Sequence, residues 1–315
     1  PKPSSAASDV YKRQELGLLK MDFLGLRTLT VIRDAEAAIQ KKDPSFSIRK
    51  LDYDDAATYK MLGQGETEGV FQLESSGMKQ VLVGLQPQNL EDVIALISLY
   101  RPGPMDSIPT YLRNRHEPDK ISYKTPQLAH ILDVTNGCIV YQEQVMQIFR
   151  ELAGFSFGQA DNVRRAMSKK KHAVMEAERE HFVHGCTEPG HECPGCVANG
   201  ISEEVANEIY DEMSSFASYA FNKSHAACYA YVAFQTAYLK CHYPSEFMAA
   251  LLTSVLDNTD KVIEYSGECA RLGIKVLPPD VNISNGGFTA DNGKIRFGLN
   301  AVKNVGRNLI ERVVE

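Results

Sequence analysis

The chain has 315 residues, of which 43% are apolar and 23% charged, and its formal net charge is −6. This composition is typical of a soluble globular protein that is long enough for two or more lobes. No apolar run approaches the roughly 20 residues that span a bilayer, and an odd number of scattered cysteines argues against a disulfide framework. We therefore expect a cytoplasmic protein with no membrane contact, and only a local basic patch would indicate nucleic acid.

The first 14 residues, "PKPSSAASDVYKRQ", lack hydrophobic periodicity and are excluded from the fold as a tail. The next segment, "LLKMDFLGL", predicts a short buried strand that places Lys20 and Asp22 on the same face. A buried carboxylate needs a compensating partner. Two interpretations stay open: a structural ion pair at a strand end, or a Mg²⁺ ligand with a phosphate-binding lysine beside it.

Helical periodicity dominates the middle of the chain. It predicts helices in "RTLTVIRDAEAAIQ", with its apolar positions beginning at Leu29, in "QEQVMQIFRELA" before Gly154, and in "SEEVANEIYDEMSSF" after an N-cap at Ser202. Two further apolar helices are expected on either side of Pro244. The stretch "LYRPGPMDSIPTYL" is predicted to be extended or turning, because prolines and a glycine crowd it.

Strand-like pieces return near the C-terminus, in "IKVLPPDVN" and "KIRFGL". The glycines of "LGQGETEG" do not have the GxGxxG spacing and give little support for a dinucleotide site. The predicted fold class is therefore mostly α with minor β (α+β).

A basic cluster is the first candidate for chemistry. No acidic residue occurs from Asn162 to Met175, a span that contains Arg164, Arg165, Lys169, Lys170 and Lys171. Arginine forks and mobile lysines suit a triphosphate or a nucleic-acid backbone. The alternative is a solvated helix face whose counter-charges lie just downstream in "EAEREH".

Two polar stretches are also candidates. "CTEPGHECPGC" contains Cys186, His191, Cys193 and Cys196, which could hold zinc, or could be a loop that happens to carry thiols. "FNKSHAACYA" places Asn222, Lys223, His225 and Tyr229 at the entry to an apolar helix, either as an ordinary cap or as an anion site. Near the C-terminus, "FGLNAVKNVGRNLIERVV" resembles half of a helix-hairpin-helix, or a plain pair of helices.

Seven ordered motifs together resemble one family. They resemble the alpha subunits of bacterial DNA polymerase III, the catalytic subunits of the C-family replicative polymerases, from about residue 15 onward. The motifs are "KMDFLGLRTLT", "GVFQLESSGM", "SLYRPGPMDSIPTYL", "VYQEQVMQI", "AGFSFGQADNVRRAMSKKK", "FASYAFNKSHAACYAYVAFQTAYLK" and "YPSEFMAALL".

The resemblance implies a helical fingers domain attached to the last strand of a polymerase-beta-like palm. It implies that Asp22 is one of three aspartates that hold two Mg²⁺ ions, with Lys20 near the phosphates. The reaction would be template-directed addition of a dNTP to a primer 3′-hydroxyl by two-metal phosphoryl transfer. The residues expected to bind the nucleotide are Arg164, Arg165, Lys169, Lys170, Arg101, Asn222, Lys223, His225 and Tyr229.

The same resemblance divides the chain into residues 1–14 as a tail, 15–30 as the last palm segment, 31–285 as fingers and 286–315 as the start of a helix-hairpin-helix region. The other two palm aspartates would lie upstream, and the segments that bind the sliding clamp would lie downstream. The fragment alone is then expected to be inactive, with primer–template DNA, dNTPs and other replicase subunits as partners of the whole protein. Because the cysteine loop lies where the family varies, zinc becomes a weaker expectation. A non-catalytic nucleic-acid-binding module derived from the fingers is the alternative.

Overall fold

The computed structural model describes residues 25–168, 172–217 and 220–314. Within these residues the chain is mostly helical, and the predicted α+β class is confirmed. The helices are α1 Arg27–Gln40, α2 Ala56–Gly63, α3 Ser76–Leu85, α4 Leu90–Leu99, α5 Ile108–His116, α6 Ala129–Leu132, α7 Gln142–Ala153, α8 Phe157–Ser168, α9 His172–His184, α10 Gly195–Ala198, α11 Glu203–Ala217, α12 Lys223–His242, α13 Pro244–Ser254, α14 Thr259–Arg271 and α15 Arg307–Val314.

The amphipathic helices form where the sequence predicts them. Helix α1 buries Val31, Ile32, Ala35 and Ile39, although Leu29 at its start is exposed. Helix α7 ends at Gly154, whose φ of 75° gives the left-handed cap that glycine adopts without strain. The Ser202 hydroxyl accepts the Val205 N–H at 3.3 Å and so caps α11.

The proline-rich stretch differs in part from its prediction. Residues Ile108–His116 form helix α5, and Pro109 lies in its first turn. Proline is tolerated there because a first-turn N–H has no partner within the helix. The turning backbone that was expected is confined to the segment before α5, where Gly103 has a φ of 101°. Pro244 likewise opens helix α13 directly after α12 ends, so the predicted break is confirmed.

The sheet is small and lies near the C-terminus. Strands β1 Val276–Leu277, β2 Thr289–Asp291 and β3 Lys294–Arg296 are arranged in the order β1-β3-β2, with β1 parallel and β2 antiparallel to β3. Both predicted strand segments are present, and β2 was not predicted. The palm strand expected around Asp22 lies outside the described residues, as do residues 1–14.

Three apolar clusters make up the core. The first joins α2, α3 and α4 to α12 as far as Ala237, and the second joins the short helix α6 to helices α7 to α11. The third joins α1, α13, α14 and the sheet. Helix α12 contributes to the first cluster through Phe234 and to the third through Leu239, so it connects the two. None of the helices among the described residues is both long and apolar enough to cross a membrane.

A buried ionic network joins α12 to α14. The Lys240 ammonium is fully buried and lies 2.6 Å from Glu268, which also accepts two hydrogen bonds of 2.7 Å from Arg271. Burial lowers the pKa of Lys240 in spite of this carboxylate. Burial alone would raise the pKa of Glu268, but the hydrogen bonds from Arg271 and Lys240 outweigh it, and the pKa of Glu268 is lowered. The carboxylate therefore stabilises two cations, of which only Arg271 can reach water.

This asymmetry predicts unequal effects of removing each partner. Glu268→Gln leaves the buried Lys240 ammonium without its counter-ion, and we expect the free energy of unfolding to fall by about 3–5 kcal/mol. Lys240→Met should cost clearly less, because Glu268 keeps both bonds from Arg271 and methionine fills the space. Urea unfolding of the two variants measures the difference. An equal or larger loss in Lys240→Met would contradict this account of the network.

Candidate functional site

Two neighbouring cavities lie on either side of the first turn of helix α12. The first, named here the aromatic cavity, has a volume of about 390 Å³ and is lined by Gln72, Ser75, Met78, Ile97, Tyr100, Arg101, Phe221, His225 and Tyr229. The second, the arginine cavity, has about 450 Å³ and is lined by Gln142, Glu143, Met146, Gln147, Arg150, Glu151, Phe157, Asp161, Arg164 and Asn222. Phe221 and Asn222 are neighbours in the chain, so the two cavities adjoin.

The start of α12 is held by polar contacts from two directions. The Asn222 side chain accepts the His225 N–H at 2.9 Å and caps the helix. The Glu143 carboxylate of α7 accepts a hydrogen bond from the Asn222 amide at 2.9 Å and a bifurcated one, at 3.1 and 3.2 Å, from the Lys223 N–H. An anion is favoured at this end of a helix. Here a carboxylate of the chain itself takes that position.

A row of rings forms one wall of the aromatic cavity. The rings of Phe221 and His225 are 5.3 Å apart, those of His225 and Tyr229 are 4.5 Å apart, and those of Tyr229 and Phe71 are 5.3 Å apart. Residues four apart on a helix share a face, which brings His225 and Tyr229 together. Such a wall offers stacking surface to a flat ring system such as a nucleobase.

Arg101 closes one end of this row. Its guanidinium lies 3.9 Å from the centre of the Phe221 ring, in cation–π contact. Partial burial lowers the pKa of Arg101, although an arginine stays charged at any physiological pH. The cavity therefore combines ring faces with one fixed positive charge.

In the arginine cavity, one carboxylate binds two predicted phosphate-binding residues. Asp161 accepts from Arg164 at 2.7 Å and from Arg165 at 2.8 Å, and the Gln142 amide oxygen accepts from Arg164 at 3.0 Å. The hydrogen bond from Arg164 is the main reason why the pKa of Asp161 is lowered. The acid-free span found in the sequence begins one residue after Asp161, so the counter-charge lies one helical turn upstream.

Lys223 also has an internal carboxylate partner. Its ammonium lies 3.0 Å from Glu91 and 5.3 Å from the centre of the Tyr141 ring. Exposed or half-exposed ion pairs of this kind contribute little stability. The oxygens of another anion can therefore replace the carboxylates of Glu91 and Asp161 at low cost.

The structure thus brings six predicted residues to one region: Arg101, Arg164, Asn222, Lys223, His225 and Tyr229. Arg165 lies beside them on α8 with its side chain mostly in solvent. The predicted residues Lys20, Asp22, Lys169 and Lys170 lie outside the described part of the chain. Sequence reasoning missed Arg150, Phe157, Gln72 and the two carboxylates Glu143 and Asp161. Arg150 could have been found, because its spacing of four and three residues from Met146 and Gln147 places all three on one face of the predicted helix.

The four predicted zinc ligands do not form a metal site in the structure. Among the residues described, no three His, Cys, Asp or Glu side chains gather closely enough to hold a metal ion. Cys186 and Cys193 instead form an antiparallel bridge through two backbone hydrogen bonds of 2.9 Å. Cys196 is buried in the second core cluster, and burial raises its pKa to about 12. A protonated, buried thiol packs as a small apolar side chain.

Comparison with known proteins finds two matching family models and several similar relatives. The family model for the bacterial DNA polymerase III alpha subunit finger domain matches residues 28–190, and that for a helix-hairpin-helix motif matches residues 273–315. DNA polymerase III subunit alpha of Thermus aquaticus is 49% identical over 313 residues, which is 98% of this chain and 25% of that protein.

Other relatives have the same name. The subunit of Bacillus subtilis (strain 168) is 46% identical over 95% of this chain and 26% of its own length, and that of Escherichia coli (strain K12) is 45% identical over the same shares. The chain therefore spans about a quarter of the length of the curated relatives it matches.

The arginine cavity generates a prediction about anion binding. Replacing Asp161 by Asn removes the carboxylate that competes for Arg164 and Arg165, so inorganic triphosphate should bind about two- to fivefold more tightly. Isothermal titration calorimetry of the chain measures this affinity. Asp119→Asn makes the same change of charge at an exposed site on another segment and serves as the control. Unchanged or weaker binding in Asp161→Asn would mean that these arginines do not form the anion site.

Proposed function

The chain belongs to the family of bacterial DNA polymerase III alpha subunit finger domains, and from that membership we propose that it binds the incoming nucleotide of a replicative DNA polymerase. In the complete subunit the reaction would be template-directed addition of a dNTP to a primer 3′-hydroxyl. Primer–template DNA, dNTPs and other replicase subunits, including a sliding clamp, are the proposed partners in the cytoplasm.

One observation carries this proposal: two chemically different cavities adjoin at the start of α12. The aromatic cavity, with His225 and Tyr229 on its wall, suits the base and sugar of a nucleotide. The arginine cavity, with Arg164 and Arg165 on adjacent positions of α8, suits its triphosphate. Arg101 and Lys223 supply positive charge between the two.

The proposed roles of the residues follow from their present contacts. Arg164 and Arg165 would release Asp161 and bind phosphate oxygens, and Lys223 would release Glu91 and do the same. Tyr229 and His225 would orient the base by stacking, while Asn222 keeps the helix end in place. We extend the proposal to Lys169 and Lys170, as contacts to phosphates or to the template backbone, on their sequence position alone.

Asp22 and Lys20 are proposed on the sequence resemblance alone, because they lie outside the described residues. Asp22 would contribute one carboxylate to a Mg²⁺ site that is completed elsewhere in the subunit, and Lys20 would lie near the phosphates. Mg²⁺, when bound, would supply charge stabilisation for phosphoryl transfer. The residues of this chain bind and orient the nucleotide for that step.

The first test concerns nucleotide affinity in the complete subunit that carries this segment. Replacing Arg164 and Arg165 by Ala should raise the KM for dNTPs by about tenfold or more, since a lost charge-assisted hydrogen bond costs about 1.5–3 kcal/mol. Steady-state primer extension measures the change. The double variant Arg33→Ala/Arg49→Ala removes two exposed arginines from elsewhere on the chain and should leave the KM unchanged. A KM that does not respond to Arg164 and Arg165 would refute the proposed phosphate site.

The second test separates the polymerase from the non-catalytic module. Asp22→Asn in the complete subunit should reduce primer extension to background and leave primer–template binding intact, because only catalysis needs the metal ligand. The 315-residue chain by itself should bind nucleotide but extend no primer. Normal extension by the Asp22→Asn subunit would favour a binding module in place of the catalytic role.

A further inference from the structure

Gln72 occupies an unusual backbone position at the edge of the aromatic cavity. Its φ is 63°, in the left-handed region that a residue with a Cβ adopts rarely. Of the other non-glycine residues with positive φ in the described part of the chain, three are asparagines and one, Gln86, caps helix α3. Gln72 is exposed and lines the same cavity as Arg101 and Tyr229. A strained position that persists at a cavity suggests that the side chain has a task there.

Two residues of α12 hold the loop that carries Gln72. The Phe71 N–H donates to the buried Thr236 hydroxyl at 3.1 Å, one residue before Gln72. The fully buried Lys240 ammonium donates to the Glu68 carbonyl at 2.9 Å. Within the loop, the Thr67 hydroxyl donates to the Leu73 carbonyl at 2.6 Å. The helix that bears His225 and Tyr229 thus also fixes the backbone of Gln72.

The Gln72 amide is available for a ligand. It makes no hydrogen bond to any residue within 25–168, 172–217 or 220–314, although hydrogen bonds at Thr67, Glu68 and Phe71 hold the loop around it. Gln72 lines the same cavity as Tyr229, so its amide lies beside the stacking surface. An amide can donate and accept at once, and so it can read the edge of a base.

We propose that Gln72 donates a hydrogen bond to the minor-groove edge of the nucleobase that stacks in the aromatic cavity. This inference rests on the proposed function of the cavity as the dNTP site. A template-directed polymerase must accept all four bases, so a fixed contact can only use a feature that they share. That feature is the acceptor at purine N3 or pyrimidine O2, which every correct base pair presents in the minor groove.

The test pairs side-chain variants with a nucleotide that lacks the acceptor, in the complete subunit. With unchanged Gln72, 3-deaza-dGTP should be incorporated with a kcat/KM about tenfold lower than dGTP, since one buried hydrogen bond is lost. Gln72→Ala should lower kcat/KM for dGTP by a similar factor and lose no more with 3-deaza-dGTP. Gln72→Gly removes the same amide and also relieves the left-handed backbone, so it should behave as Gln72→Ala does.

The controls keep the two proposals apart. The analogue 7-deaza-dGTP lacks a major-groove atom but keeps N3, so each of the three proteins should use it with about the same kcat/KM as it uses dGTP. If the Gln72 variants still discriminate against 3-deaza-dGTP as strongly as the unchanged subunit does, the assignment to Gln72 is overturned. In that case a raised KM for dNTPs in Arg164→Ala/Arg165→Ala would still support the proposed nucleotide site.

Discussion

The small-residue face of helix α12 is the constraint on which the rest of the structure depends. Ala226, Ala230, Ala233 and Ala237 are completely buried and follow one another at helical spacing. Because their side chains are single methyl groups, α4 can pack closely against α12 within the first core cluster. Larger side chains would overpack this contact and shift the helix. Any such shift would move the cap at its start and the loop held by Thr236 and Lys240 together.

Charged groups in this chain fall into two kinds. The pair Lys240–Glu268 is buried. Removing the Glu268 charge leaves the Lys240 ammonium buried without a counter-ion, whereas removing the Lys240 charge leaves Glu268 paired with Arg271. The pairs Arg165–Asp161 and Lys223–Glu91 are partly exposed, and water or another anion can replace either partner. The first kind fixes the fold, and the second kind leaves cations that a ligand can recruit. This difference in burial, more than the number of cations, distinguishes a binding site from a structural network.

Sequence reasoning succeeded where local rules determine the structure. Helices α1, α7 and α11 follow from apolar periodicity and from caps such as Gly154 and Ser202. The hairpin between β2 and β3 was missed although Asn292 and Gly293, both with positive φ, are a strong two-residue turn signal. The pairing of β1 with β3 and the meeting of Arg101 with Phe221 depend on contacts between distant segments. No local pattern encodes those contacts. Asp161 was overlooked for a different reason: its spacing of three and four residues from Arg164 and Arg165 is a local helical pattern, but it lies just before the acid-free span.

A single backbone bridge sets the spacing of the two cavities. Phe221 pairs with Tyr141 in a parallel bridge, in which the Gln142 N–H donates to the Phe221 carbonyl at 2.9 Å and the Phe221 N–H donates to the Val140 carbonyl at 3.3 Å. The bridge joins the start of α7, which lines the arginine cavity, to the start of α12, which lines the aromatic cavity. These backbone hydrogen bonds use no side-chain group, so a ligand in either cavity does not compete for them. A ligand that stacks on Tyr229 and reaches Arg164 must therefore match a distance that the backbone has fixed in advance, and in the proposed function that ligand is a nucleotide.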